Sequence, residues 1–208
     1  MCKPIIGRVS MVPCRSNQLW VSDITYWRIN KDFLYISFIT NAYSRKIVGY
    51  NVAENLLSLQ SVKALKMALE NTERIEYLYH HSDRGLQYCS NEYIRILEES
   101  DIRISMTQSG DPRDNAIAER VNGIIKNEYL CGYDVNSLEE GKEVLDFVVT
   151  LYNEERPHRS LGNLTPEFVH EQNGKPARLW RNYYQKNSNI VNAFQDYDRV
   201  VNLLQDDH

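Results

Sequence analysis

The chain has 208 residues, 42% apolar and 25% charged, which suits one globular domain with an extension and a core that needs no disulfides or structural metals. The mean hydropathy is −0.52, and no apolar run approaches the roughly 18 residues of a membrane span, which argues against a membrane protein. The start of the chain lacks a long apolar segment, which argues against an exported protein. The net charge of −4 argues against a dedicated nucleic-acid-binding domain, and four scattered cysteines argue against zinc fingers and indicate a reduced, cytoplasmic protein.

The first third of the chain predicts an antiparallel meander of strands. Residues 18–26, 32–40 and 43–52 are rich in β-branched and aromatic side chains, and only short polar breaks separate them. Such runs, joined by tight turns, are typical of strands that pair with their neighbours in sequence.

After residue 57 the pattern alternates helices with strands and then becomes helical. The predicted helices cover residues 58–71, 90–99, 115–131 and 137–154, and the predicted strands cover residues 75–81 and 102–106. Helix-starting residues open three of these helices, at Ser58, Ser90 and Ser137, and Thr165 opens one further short helix. This order predicts an α/β fold with a mixed five-stranded, ribonuclease-H-like sheet flanked by helices and followed by a C-terminal extension.

We expect a short N-terminal lead over residues 1–16, a folded core over 17–172 and a C-terminal tail over 173–208. The tail carries many apolar side chains and two similar segments, 191–196 and 201–206. It has no evident core of its own, so it is expected to pack along its own core or across a second subunit.

Three acidic residues stand out by their context. Asp23 interrupts an apolar strand, where a charge is costly unless it is paired or bound to metal. Asp83 follows the fourth predicted strand and precedes a glycine turn, and Glu119 lies in the helix that begins near Asn115. Two strands and a later helix in this order could bring all three carboxylates to one edge of the sheet.

The helix with Glu119 is amphipathic. Asn115, Asn122 and Lys126 share the stripe of Glu119, opposite the apolar face. A solvated face is the ordinary alternative for such a stripe. If the three carboxylates do meet, their repulsion requires cations, for which Mg²⁺ with its oxygen ligands is suited, and without metal the cluster should be loose.

Five motifs carry a resemblance to a known family. They are Ser22–Tyr26 (SDITY), His81–Tyr88 (HSDRGLQY), Asp114–Arg120 (DNAIAER), Lys126–Glu128 (KNE), and Tyr152–Gly162 (YNEERPHRSLG) with Thr165 and Pro166. Thirty-five residues separate Asp83 from Glu119, as in the DD(35)E signature of retroviral-type integrases and their bacterial transposase relatives. In this order, over roughly residues 17–170, the motifs resemble those of the insertion-sequence-3 family transposases.

The resemblance implies an integrase-type catalytic core over residues 17–172 that cleaves phosphodiesters at transposon ends and transfers the freed 3′-hydroxyl to target DNA. It implies that Asp23, Asp83 and Glu119 hold two Mg²⁺ or Mn²⁺ ions. It also implies DNA contact by a further set of side chains: Lys126, and less strongly Asn115, Asn122, Arg156, His158 and Arg159. For the last three, a structural role in a chain reversal at Pro157 is the alternative.

The resemblance further implies a homo-oligomer that acts on DNA in the bacterial cytoplasm, at the nucleoid. The helix-turn-helix segment that normally precedes such a core is not evident before Asp23. Two other functions stay open, a non-catalytic DNA-binding or assembly remnant and a hydrolytic nuclease of the same fold.

Two details of the sequence give structural expectations. Glu128 falls on the apolar face of its helix and should pair with an Arg or Lys. His80 and His81 are neighbours on a strand, so their side chains should point to opposite faces, and at most one of them can line the site.

Overall fold

The computed structural model describes residues 12–29, 32–72, 77–107 and 115–172. The chain divides into two units, residues 1–177 and 178–208, and every described residue lies in the first. The expectations for the start of the N-terminal lead and for the tail over 173–208 lie outside the described residues. None of the described helices is long and apolar enough to cross a membrane.

The strands are β1 (Leu19–Ile29), β2 (Asp32–Asn41), β3 (Ile47–Ala53), β4 (Tyr79–Ser82) and β5 (Arg103–Met106). They form a five-stranded sheet in the order β3-β2-β1-β4-β5. β1, β2 and β3 pair antiparallel, whereas β4 pairs parallel with both β1 and β5. The predicted mixed sheet is therefore confirmed.

The helices are α1 (Ser58–Glu70), α2 (Asn91–Glu99), α3 (Ala116–Ile124), α4 (Leu138–Glu154) and α5 (Pro166–Glu171). Three of the predicted helix starts are confirmed, because the side chains of Ser90, Ser137 and Thr165 each accept a bond from a backbone N–H of the first turn. Ser58 is instead the first residue of α1, and Leu57 before it supplies no side-chain cap.

Three predicted elements end earlier or begin later than their apolar pattern. The strand predicted over 75–81 begins only at Tyr79. The third strand begins at Ile47, because the Asn41 carboxamide oxygen accepts bonds from the backbone N–H groups of Tyr43 (3.0 Å) and Ser44 (3.1 Å) and closes a turn. The helix predicted over 115–131 is α-helical only to Ile124, and a π-helical turn over Ile125–Tyr129 follows it.

Buried side chains pack on both faces of the sheet. One cluster joins the sheet to α3 and α4 and includes Trp27, Leu34, Val121, Leu145 and Tyr152. The other joins it to α1 and α2 and includes Trp20, Val48, Leu65, Tyr93 and Leu97. The sheet is thus the middle layer between helices, and it fixes where the ends of β1 and β4 lie.

Candidate active site

The carboxylates of Asp23 and Asp83 line one cleft at the edge shared by β1 and β4. The two strands run parallel, with Leu19–Val21 of β1 opposite Tyr79–His81 of β4. Asp23 lies two residues beyond Val21, the last residue of β1 that pairs with β4, and Asp83 follows the end of β4. Both side chains line a cleft of about 210 Å³. Parallel pairing therefore brings together two acids that lie far apart in sequence.

Helix α3 and the residue before it present their polar stripe to β1. The Asn115 side chain donates a hydrogen bond to the backbone carbonyl of Ser22 (2.9 Å), and the Asn122 side chain donates one to Asp23 Oδ2 (2.8 Å). Both amides are buried rather than solvated. Glu119 is four residues after the first amide and three before the second, on the same helical stripe, but it is exposed and is not among the residues that line the cleft.

The three acids act on one another electrostatically. The pKa of Asp23 is raised to about 6, mainly by burial and in smaller part by the charges of Asp83 and Glu119. Hydrogen bonds from the Ile24 backbone N–H and from Asn122 oppose this rise. The carboxylate of Asp23 is therefore held at a site that already carries an excess of negative charge.

The donor set at this site fits a hard divalent cation. It consists of carboxylate oxygens, the ligands that Mg²⁺ and Mn²⁺ prefer. None of the three acids forms an ion pair with a residue that the structure describes. Among the described residues, no three His, Cys, Asp or Glu side chains are already gathered as a metal-binding group. Repulsion between unscreened carboxylates favours such an open arrangement.

The walls of the cleft include side chains that sequence reasoning did not select as site residues: Ile24, Thr25, Tyr26, Tyr35, Leu56, Gln87 and Tyr88. Lys126, which the motifs did select, lies in the π-helical turn, with its Nζ 3.5 Å from the centroid of the Tyr26 ring. The hydroxyl of Tyr88 is buried without a hydrogen-bond partner among the described residues. Tyr26 belongs to the SDITY motif, whereas only the alternation of aromatic residues along β2 could have pointed to Tyr35.

The two adjacent histidines are hydrogen-bonded inside the fold. Nε2 of His80 lies 2.7 Å from Ser22 Oγ and 2.8 Å from the Tyr93 hydroxyl, while Nδ1 of His81 lies 2.9 Å from Ser105 Oγ. Burial lowers the pKa of His80 to about 3, so its ring is neutral. These contacts tie β1, β4, β5 and α2 together behind the cleft.

Residues of the Tyr152–Gly162 motif contact other parts of the fold. The Arg156 guanidinium forms an ion pair with Glu128 (2.6 Å), which confirms the expectation that Glu128 has a cationic partner. His158 is buried, its ring packs edge-on against that of Tyr152, and its backbone pairs with that of Leu164. Arg159 is exposed at the start of a short 3₁₀ turn. Phosphate contact by these residues stays a prediction.

Comparison with known proteins agrees with the sequence motifs. Two models of the integrase core domain match residues 13–112 and 100–166. An uncharacterized 31 kDa protein of insertion element IS600 from Shigella sonnei is 37% identical over 170 residues, which cover 81% of this chain and 62% of that protein. Transposase InsF of insertion sequence IS3fB from Escherichia coli K12 is 34% identical over 158 residues, which cover 76% of this chain and 55% of that protein.

Solved structures of retroviral integrases resemble the chain. The catalytic core domain of HTLV-2 integrase, in complex with magnesium, matches with a TM-score of 0.60 at 19% identity, over 75% of this chain and 97% of that one. A chain of a simian T-cell lymphotropic virus intasome matches with a TM-score of 0.67 at 17% identity, over 90% and 65% of the two chains. These likenesses confirm the ribonuclease-H-like fold.

The two insertion-element relatives are longer than this chain. It spans between 55% and 62% of the length of the two insertion-element proteins described above. The family models cover the region that holds all three acids, and the relatives are proteins of insertion elements. The chain therefore belongs to the integrase core domain family, and it is similar to proteins of insertion elements, a transposase of an IS3 element among them.

Proposed function

We propose that the chain is the catalytic core of a DNA transposase, a polynucleotidyl transferase that cleaves transposon ends and joins them to target DNA. One observation carries this proposal most strongly. Asp23 and Asp83 share a cleft, and the helix stripe with Glu119 contacts β1 beside it. Acids on two separate strands and a helix have no evident structural reason to concentrate charge there.

In the proposed site, Asp23, Asp83 and Glu119 would hold two Mg²⁺ or Mn²⁺ ions. Such ions, when bound, activate the attacking oxygen and stabilise the leaving oxygen of a phosphodiester. The residues around the acids keep their carboxylates in place. Asn122 holds Asp23 Oδ2, and the backbone N–H of Gly85 donates to Asp83 Oδ1 at 2.9 Å.

The proposed chemistry has two steps of the same kind. In cleavage, a water oxygen attacks phosphorus and the 3′-oxygen of the transposon strand leaves. In strand transfer, that freed 3′-hydroxyl attacks a target phosphodiester, whose own 3′-oxygen leaves. Each step exchanges one P–O bond for another and moves one proton from the attacking oxygen to the leaving one, so neither needs an external energy source.

The proposed partners are transposon ends, target DNA and further copies of the chain. Lys126 stands at the rim of the cleft through its contact with Tyr26 and is the first candidate for a phosphate contact. Arg159 is a second, exposed candidate, whereas the ion pair of Arg156 and the burial of His158 favour structural roles. Two transposon ends must meet before joining, which calls for an oligomer.

The test combines the full chain with pre-cleaved transposon ends and a plasmid target in Mg²⁺. Wild type should join the ends to the plasmid. Asp83→Asn should reduce strand-transfer activity by more than roughly 100-fold, the loss expected when only a residue that supports a metal ligand is removed. Its melting temperature should be unchanged. Glu143→Gln, which changes an exposed acid of α4, is the matched control and should keep activity.

Each alternative function gives a different result in this assay. A hydrolytic nuclease nicks the plasmid without joining ends to it. A non-catalytic remnant binds the DNA and leaves it intact. Asp83→Asn activity close to that of wild type would contradict the assignment of the carboxylates.

A further inference from the structure

Exposed and half-buried aromatic and basic side chains of β1, β2 and the π-helical turn continue outward from the carboxylate cleft. Five residues form this group, which we call the aromatic strip: Tyr26, Arg28, Phe33, Tyr35 and Lys126. Tyr26 is 53% exposed and Phe33 39%. Two members, Tyr26 and Tyr35, also line the cleft that holds Asp23 and Asp83, so the strip begins at the proposed active site.

The strand register places the four members of the strip in β1 and β2 on one face of the sheet. Tyr26 lies opposite Tyr35 and Arg28 opposite Phe33, and residues opposite one another in antiparallel strands share a face. The rings of Tyr26 and Phe33 meet edge to face, with centroids 5.6 Å apart. The intervening residues Trp27 and Leu34 are buried in the core behind them.

Helix α1 covers the same face only where the strip ends. Ser37, two residues after Tyr35, has its hydroxyl 3.3 Å from that of Ser61 in α1. From Tyr35 outward the aromatic side chains are partly or largely exposed. Core packing therefore explains the buried neighbours of the strip and leaves its exposed rings unexplained.

We propose that the aromatic strip binds an unpaired end of a DNA strand, with bases stacked on Tyr26 and Phe33 and phosphates beside Arg28 and Lys126. This inference rests on the proposed function and deepens it. Exposed rings alternating with cations are typical of surfaces that bind single strands, because every base offers a face for stacking. A paired duplex hides those faces and presents phosphates and base edges instead.

The test measures binding without divalent ions, so that catalysis plays no part. The full chain is titrated in EDTA against a blunt DNA duplex and against the same duplex with a short unpaired end that carries 2-aminopurine. Tyr26→Ala and Phe33→Ala should each weaken binding of the unpaired end about fivefold or more and reduce the quenching of 2-aminopurine, while binding of the blunt duplex changes little.

Matched variants distinguish the effect of base stacking from the effect of charge and from nonspecific effects of a mutation. Tyr26→Phe keeps the ring and should bind as wild type does. Phe147→Ala removes an exposed ring from α4 and should have no effect. Arg28→Ala should weaken binding of the unpaired end and reduce the salt dependence of that binding, without the loss of 2-aminopurine quenching per bound DNA that the aromatic variants show.

Three outcomes would overturn the inference: an equal loss on blunt and unpaired DNA, no loss for either aromatic variant, or a change in sedimentation in place of a change in DNA affinity. The last would show that the strip contacts protein. Because no metal is present, such a failure leaves the proposed catalytic function standing. Conversely, a failure of the strand-transfer assay leaves the binding result interpretable.

Discussion

Asp23 is the acid whose surroundings explain the arrangement of the site. Its carboxylate accepts hydrogen bonds from the Ile24 backbone and from Asn122, yet burial and two neighbouring acids still raise its pKa to about 6. A bound cation would lower the free energy of the ionised form and reverse that rise. The unfavourable burial of the charged Asp23 carboxylate is thus expected only in the metal-free state.

Asn122 should act as a positioning residue for Asp23. Its amide is buried and donates to Asp23 Oδ2, as an outer-shell partner of a metal ligand does. We expect Asn122→Ala to weaken Mn²⁺ binding by about 10- to 100-fold, measured by calorimetric titration without DNA. Asn127→Ala, an exposed amide in the next turn, is the control, and equal Mn²⁺ affinity in both variants would contradict the role.

The sequence predicted the three acids and the two amides of the helix, but not the other side chains that line the cleft. Asp23, Asp83, Glu119, Asn115 and Asn122 belong to motifs or to a regular helical spacing, which are visible in one dimension. The cleft walls depend on the β1–β2 register and on a loop, so the packing of Leu56 and Gln87 against the cleft could not be read from spacing. For Glu128 the sequence indicated a cationic partner without naming Arg156.

At the level of elements, the apolar pattern predicted which helices and strands exist better than where they end. It could not show that α3 gives way to a π-helical turn after Ile124. That turn adds a residue per hydrogen-bonded ring and so rotates the side chains that follow it. Glu128, expected on the apolar face of a regular helix, consequently reaches the surface and Arg156.

The contact between β3 and α1 depends on a glycine. A Cβ added at Gly49 would lie 2.8 Å from the Cβ of Ala68 and closer still to the backbone of α1, so the helix would have to shift. We expect Gly49→Ala to lower the free energy of unfolding by roughly 1–3 kcal/mol in urea titrations. Gly132→Ala, with no heavy atom within 4 Å of the added Cβ, should change it by less than about 0.5 kcal/mol. Equal effects would contradict the close packing.

At the level of the whole molecule, neutral buried histidines should make the metal-free fold sensitive to acid. Burial is the main cause that lowers the pKa of His80 to about 3 and those of His158 and His170 to about 4. The unfolded chain, with histidine pKa values near roughly 6.5, therefore takes up protons first as the pH falls. The stabilisation is complete above about pH 6.5 and is lost progressively towards pH 4.

We expect the free energy of unfolding to fall between pH 7 and pH 4, by on the order of 2 kcal/mol for each of His158 and His170. Asp23, with its raised pKa, contributes in the opposite direction, because protonation relieves its buried charge below pH 6. Urea titrations across this range measure the slope, and His170→Gln should flatten it. A stability that is constant or rises towards pH 4 would contradict the neutral, buried state of these rings.

We propose that Asp23, Asp83 and Glu119 form one divalent-metal site in the integrase-type core. The anomalous scattering of Mn²⁺ in crystals of the full chain tests it most directly, because it locates the ion independently of activity. We predict Mn²⁺ density bounded by these three carboxylates in wild type, and weakened or absent in Asp83→Asn. Mn²⁺ bound elsewhere, or a Glu119 side chain directed away from Asp23 and Asp83 at saturating Mn²⁺, would contradict the account.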